Sequence, residues 1–121
     1  MEPAEVPGMD VSCEAAGECL IVALSGVLDV TSAPALRDCL LRLLRPAASR
    51  LIIDLSGVSE ADSRGLAVLV GAERRARLLG GFLRLVAPKS GVNAALRATR
   101  LSLQLDIYPT LEAAISCPAS A

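Results

Sequence analysis

The stretch from Leu51 to Leu69, LIIDLSGVSEADSRGLAVL, constrains the fold of this chain most, because its hydrophobic period changes part-way along. Leu51, Ile52, Ile53 and Leu55 form a short apolar run with β-branched members, the pattern of a strand covered on both faces. Ser56, Gly57, Ser59 and Glu60 are turn-type residues, so a polar loop is expected over Ser56–Asp62. From Leu66 onward the apolar positions Leu69, Val70, Ala72, Ala76 and Leu79 recur at helical spacing, with Arg74, Arg75 and Arg77 mostly opposite as a solvated face. Asp62 or Ser63 is the natural N-cap, since either side-chain oxygen accepts a hydrogen bond from a first-turn amide, and Gly80-Gly81 supplies the positive φ that ends the helix. A serine hydroxyl is thereby presented at a helix N-terminus.

The rest of the chain extends this alternation. Val11–Glu14 and Cys19–Leu24 read as strands of a hairpin turning across Ala15–Glu18 at Gly17. Ser32 is placed to cap a helix with Pro34 in its first turn and Leu36, Leu40, Leu43 and Leu44 inward, stopping near Pro46. Phe82–Val86 is a strand with a polar interruption at Arg84, followed by a helix capped by Ser90 with Val92, Ala95 and Leu96 inward. Leu103–Ile107 is the expected last strand, and Tyr108-Pro109-Thr110 opens a short helix through Leu111, Ala114 and Ile115. Strands and helices in alternation after a hairpin imply right-handed crossovers. The expected fold class is α/β: one domain, a mostly parallel sheet with an N-terminal antiparallel hairpin, flanked by about four helices. The domain is expected over residues 11–116, with a flexible leader at 1–10 and a tail at 117–121.

Composition removes several function classes. At 121 residues and 53% hydrophobic content the chain suits one domain with a real core. A net charge of −1, one Tyr, one Phe and no Trp give neither the basic field nor the stacking platform of a nucleic-acid binder. No apolar stretch reaches the roughly 20 residues that span a bilayer, and the first residues are acidic, so a cytoplasmic protein without membrane contact is expected. With no histidine, a serine nucleophile lacks its commonest base and the usual zinc spacings cannot be assembled. No phosphate-binding glycine motif is present, and Asp54, Glu60 and Asp62 read better as a solvated loop than as a carboxylate pair or magnesium site. Cys19 and Cys39 read as small buried hydrophobes. The chain is therefore expected to be no enzyme and to need no cofactor or metal.

Asp54-Leu55-Ser56-Gly57-Val58 and Asp62-Ser63-Arg64-Gly65-Leu66 resemble the strand end and helix start of the STAS domain of anti-sigma factor antagonists. Gly26-Val27-Leu28-Asp29 with Ser32-Ala33-Pro34-Ala35-Leu36, then Leu83-Arg84-Leu85-Val86 and Tyr108-Pro109-Thr110-Leu111, extend the similarity over nearly the whole domain. The resemblance implies a partner-switching regulator. Such a protein binds an anti-sigma factor that is an ATP-dependent serine kinase, frees the sigma factor, and is inactivated by phosphorylation at the position of Ser63, with a phosphatase to reverse it. It also implies a partner surface of Asp29, Thr31, Ser32, Ser59, Asp62, Ser63, Arg64 and Leu66, with Arg64 where many relatives carry a small residue. A monomer or weak dimer is expected. The alternative is an unphosphorylated STAS module acting as a structural or accessory subunit of a transporter or sensory assembly.

Overall fold

The structure, a computed structural model, describes residues 6–117. The first five residues of the expected leader and residues 118–121 of the expected tail lie outside the described residues. Strands β1 (Met9–Ala16) and β2 (Cys19–Leu28) form the antiparallel hairpin, joined at Gly17-Glu18. Then follow α1 (Ala33–Leu43), β3 (Arg50–Ala61), α2 (Ser63–Leu78), β4 (Phe82–Val86), α3 (Ser90–Ala98), a single 3₁₀ turn at Leu101–Leu103, β5 (Asp106–Tyr108) and α4 (Leu111–Ser116).

The sheet runs β1-β2-β3-β4-β5 in sequence order, and every pair after the hairpin is parallel. Crossovers of one hand between successive neighbours put α1, α2 and α3 on one face. There Leu36, Leu40, Leu66, Leu69, Val92 and Leu96 bury against Val22, Leu24, Leu51, Ile53, Leu55 and Leu85. Among the described residues the other face is covered by α4, over a smaller cluster of Ile21, Ile52, Phe82, Val86 and Ala114.

Four expectations are corrected. The polar loop over Ser56–Asp62 does not form: β3 continues to Ala61, because a register shift beside Ser25 lets Gly57, Val58, Glu60 and Ala61 keep pairing with β2. A side chain on Gly57 would strike Ser25 Cβ at 2.7 Å, so only glycine allows that pairing. The hairpin strands are also longer than expected, and β1 takes in Met9 and Asp10 from the expected leader; Val6 and Met9 are buried. Leu103–Ile107 is not one strand. Arg100 adopts a left-handed conformation that ends α3, Leu101–Leu103 coil into the 3₁₀ turn, and only Asp106–Tyr108 reach the edge of the short β4. Finally, Ser90 is the first residue of α3, and its N-cap Lys89 makes no side-chain cap bond.

Arg84 is no mere interruption. It lies on the α4 side of the sheet, 3% exposed, and its Nη1 donates to the carbonyls of Ala114 and Cys117, both at 2.7 Å. Its guanidinium stands 3.9 Å from the Phe82 ring centre and 5.4 Å from that of Tyr108. A cation at the C-terminal carbonyls of a helix suits the dipole, so Arg84 clamps α4 to the sheet. Tyr108 is held protonated above its ordinary range, chiefly by a hydrogen bond with Cys117 and then by burial, which ties the same corner together.

Candidate functional site

The carboxyl ends of β2 and β3 are paired to their last residues, Leu28 against Ala61. The Asp62 N–H then donates to the Leu28 carbonyl at 3.0 Å, so the chain leaves β3 locked to the end of β2. Asp62 is the N-cap of α2, in extended backbone, and its Oδ1 accepts from the Gly65 N–H at 2.9 Å. Of the two expected caps the aspartate takes the role, which places Ser63 at the first helical position with its side chain exposed. Among the described residues the Ser63 hydroxyl has no hydrogen-bond partner, and first-turn amides have no intrahelical acceptor.

Gly65 explains how closely the two strand ends approach. A Cβ on it would fall 2.7 Å from Leu28 Cγ and closer still to the Leu28 carbonyl, so the first turn of α2 packs directly on the end of β2. That contact brings Ser63 beside the loop leading into α1. In that loop Asp29 Oδ1 accepts from Thr31 N–H at 2.9 Å and Ser32 N–H at 3.2 Å. Ser32 Oγ accepts from Asp29 N–H at 3.0 Å and donates to the Val27 carbonyl at 2.9 Å. Ser32 stands at the N-cap of α1 but gives its side chain to the loop behind it and makes no cap bond, contrary to expectation.

The structure thus brings Asp29, Thr31, Ser59, Asp62, Ser63 and Arg64 to one end of the sheet, with Ser59 Oγ donating to the Gly26 carbonyl at 3.2 Å. Ser32 and Leu66 of the expected partner surface are corrected: both are fully buried, Ser32 under its own loop and Leu66 in the main core. Neither offers a surface to a partner. At the same end Val30, between Asp29 and Thr31 and outside the expected partner surface, is an exposed apolar side chain. Its signal was an apolar residue inside an otherwise polar turn.

Among the described residues no three Asp, Glu or Cys side chains converge as a metal-binding group; the Asp54 carboxylate accepts from Ser56 N–H and that of Asp62 from Gly65 N–H. A hollow of about 550 Å³ lined by Gly17, Cys19, Arg45, Ser49 and Arg50 opens at the amino ends of the parallel strands, the opposite end from Ser63. No helix among the described residues is long and apolar enough to cross a membrane. The Ser63 end of the sheet carries an exposed, unengaged hydroxyl at the first position of α2.

A family profile for the STAS domain matches residues 10–114. The chain belongs to the STAS domain family. Within that family it is similar to the anti-sigma-B factor antagonist of Bacillus subtilis, with 44% identity over 64 residues, 53% of this chain and 58% of that protein. The chain therefore spans less than two thirds of that relative's length in the matched region. An anti-sigma factor antagonist of Mycobacterium paratuberculosis shares the STAS fold at a TM-score of 0.80 and 26% identity, covering 93% of this chain and 97% of that one. The anti-sigma factor antagonist SpoIIAA matches in its unphosphorylated form at a TM-score of 0.69 and in its phosphorylated form, from Bacillus, at 0.65; both are 21% identical, cover 88% of this chain, and are covered over 93% and 96% of their own lengths. These last two likenesses are of fold.

Proposed function

We propose that this STAS protein is an anti-sigma factor antagonist: it binds an anti-sigma factor that is an ATP-dependent serine kinase, and phosphorylation of Ser63 ends the binding. The observation that carries the reading is the exposed Ser63 hydroxyl at the first position of α2, beside an aspartate whose carboxylate is already committed to the helix cap. The similarity to the anti-sigma-B factor antagonist supports it.

In the transfer, Ser63 Oγ attacks the γ-phosphorus of ATP. The new Oγ–P bond forms as the bond to the ADP oxygen breaks, and the hydroxyl proton passes to a base on the kinase. This chain supplies the nucleophile and its presentation; the partner supplies the nucleotide and the base. The product carries close to two negative charges. On this chain the charge is tolerated, since a phosphate at a helix N-terminus gains roughly 0.3 to 1 kcal/mol from free amides and the dipole. The persistence of the STAS fold in phosphorylated SpoIIAA agrees with that tolerance.

A docked partner is affected differently. A surface shaped for a neutral hydroxyl must desolvate a dianion that lies beside Asp62 and Glu60, at a cost of several kcal/mol. About 3 kcal/mol weakens binding about a hundredfold, so one covalent group switches the complex. The test is peptide mass spectrometry after incubating the protein with ATP and each anti-sigma factor kinase of the same cell, with Ser63→Ala alongside. A single phosphate on Ser63, lost in the variant, is expected. Binding without phosphorylation would favour a constitutive antagonist, and co-purification with a transporter subunit would favour the accessory-subunit alternative.

A further inference from the structure

Resting on the antagonist reading, we propose that Val30 and Arg64 are the side chains that grip the anti-sigma factor, Val30 in an apolar pocket and Arg64 on a carboxylate, while Asp29, Ser32 and Asp62 serve to position them. Of the polar side chains expected to face the partner, those of Asp29, Ser32 and Asp62 are engaged within the chain. Asp29 Oδ1 takes two loop amides, the Ser32 hydroxyl is buried between Asp29 N–H and the Val27 carbonyl, and Asp62 Oδ1 takes the Gly65 amide. Besides the small hydroxyls of Thr31 and Ser63, the unengaged side chains are Val30 and Arg64, one after each strand end of the paired Leu28 and Ala61.

Val30 is 52% exposed, and its loop is not slack: the amides of Asp29, Thr31, Ser32 and Ala33 are all hydrogen-bonded. An apolar side chain on a rigid turn leaves little backbone freedom to lose when a pocket closes over it, and the β-branched valine has few rotamers to give up, which favours binding. Arg64 is exposed in the first turn of α2, where the dipole disfavours a cation, and it makes no ion pair with any described residue although Asp62 lies two positions away. The fold gains nothing from that charge, and a carboxylate on a partner would pair with it bidentately. The complementary surface therefore carries an apolar pocket and an acidic group on the two sides of its phosphoryl-transfer site.

The test compares wild type, Val30→Ser, Arg64→Ala and Leu78→Ser for affinity toward the anti-sigma factor kinase that binds wild type, screened from those of the same genome. Leu78 is the control: at 80% it is more exposed than Val30, but it sits fifteen residues along α2 from Ser63, about 22 Å by helical rise. Val30→Ser and Arg64→Ala should each weaken binding about tenfold and raise KM for Ser63 phosphorylation with kcat unchanged, and Arg64→Ala should also flatten the salt dependence. Leu78→Ser should bind as wild type. Wild type that binds and is phosphorylated on Ser63, with Val30→Ser and Arg64→Ala within twofold of it, overturns this assignment and leaves the antagonist reading standing. Equal loss in Leu78→Ser also overturns it. Failure of every kinase to bind wild type overturns both.

Discussion

The backbone amide of Asp62 donates to the carbonyl of Leu28 at 3.0 Å, and this bond joins the two loops on which the proposed switch depends. It closes the ladder between β2 and β3 one residue beyond its last pair and fixes where α2 begins. Ser63 is therefore carried by the sheet itself rather than by a free loop.

The tightest point of that seam is Gly65. Gly65→Ala should push the first turn of α2 off the Leu28 carbonyl, because backbone and not a flexible side chain is in the way. A loss of about 2 to 3 kcal/mol in urea unfolding is expected, in the range of overpacking. Partner affinity should fall with it, since Ser63 moves relative to the Asp29 loop.

Asp62 separates capping from charge. Asp62→Ala should cost about 1 kcal/mol through loss of the bond to Gly65 N–H. Asp62→Asn keeps a good cap and should unfold within a few tenths of a kcal/mol of wild type. If the carboxylate had a direct partner contact, the Asn variant would lose affinity while keeping its stability; the positioning role predicts that it keeps both.

Arg84 gives a prediction at the opposite face. Arg84→Met keeps much of the packing against Phe82 but leaves the Ala114 and Cys117 carbonyls without their donor. A loss of about 2 to 4 kcal/mol is expected, with amide hydrogen exchange accelerated first in α4. Exchange that rises uniformly over the whole sheet would contradict a clamp acting on α4.

Cys13 provides a pH signature. Burial, and then the neighbouring Cys39 thiol, hold it protonated above the ordinary thiol range. The folded chain binds that proton more tightly than the unfolded one, so the stabilisation is complete below the unfolded thiol pKa and is lost as pH rises through the folded value. Cys13→Ala should remove this part of the alkaline loss, and iodoacetamide at pH 8 should alkylate Cys13 more slowly in the folded protein than after unfolding.

The core and the order of elements were legible because they rest on period: the apolar runs at Leu51–Leu55 and the helical spacing of Leu66, Leu69 and Ala76 have one reading each. Ser56–Ala61 misled because serine, glycine and glutamate resemble a loop, while the shifted pairing with β2 that keeps them extended is a tertiary effect. Ser32 and Leu66 fit a surface motif by position, yet one hydroxyl turns inward to its own loop and the other side chain fills the core. Arg84 looked like a polar break in a strand, because its acceptors come from a helix thirty residues on. Val30 shows in the sequence only as an apolar residue in a polar turn; its exposure on a hydrogen-bonded loop is a property of the fold.

The most direct test of the switch is titration calorimetry of the cognate anti-sigma factor kinase against two forms of the protein, unmodified and phosphorylated on Ser63. The account predicts that both forms have the same circular dichroism spectrum and the same melting temperature to within a few degrees, while the phosphorylated form binds about a hundredfold more weakly. Equal affinity of the two forms, with Ser63 fully phosphorylated, would contradict it.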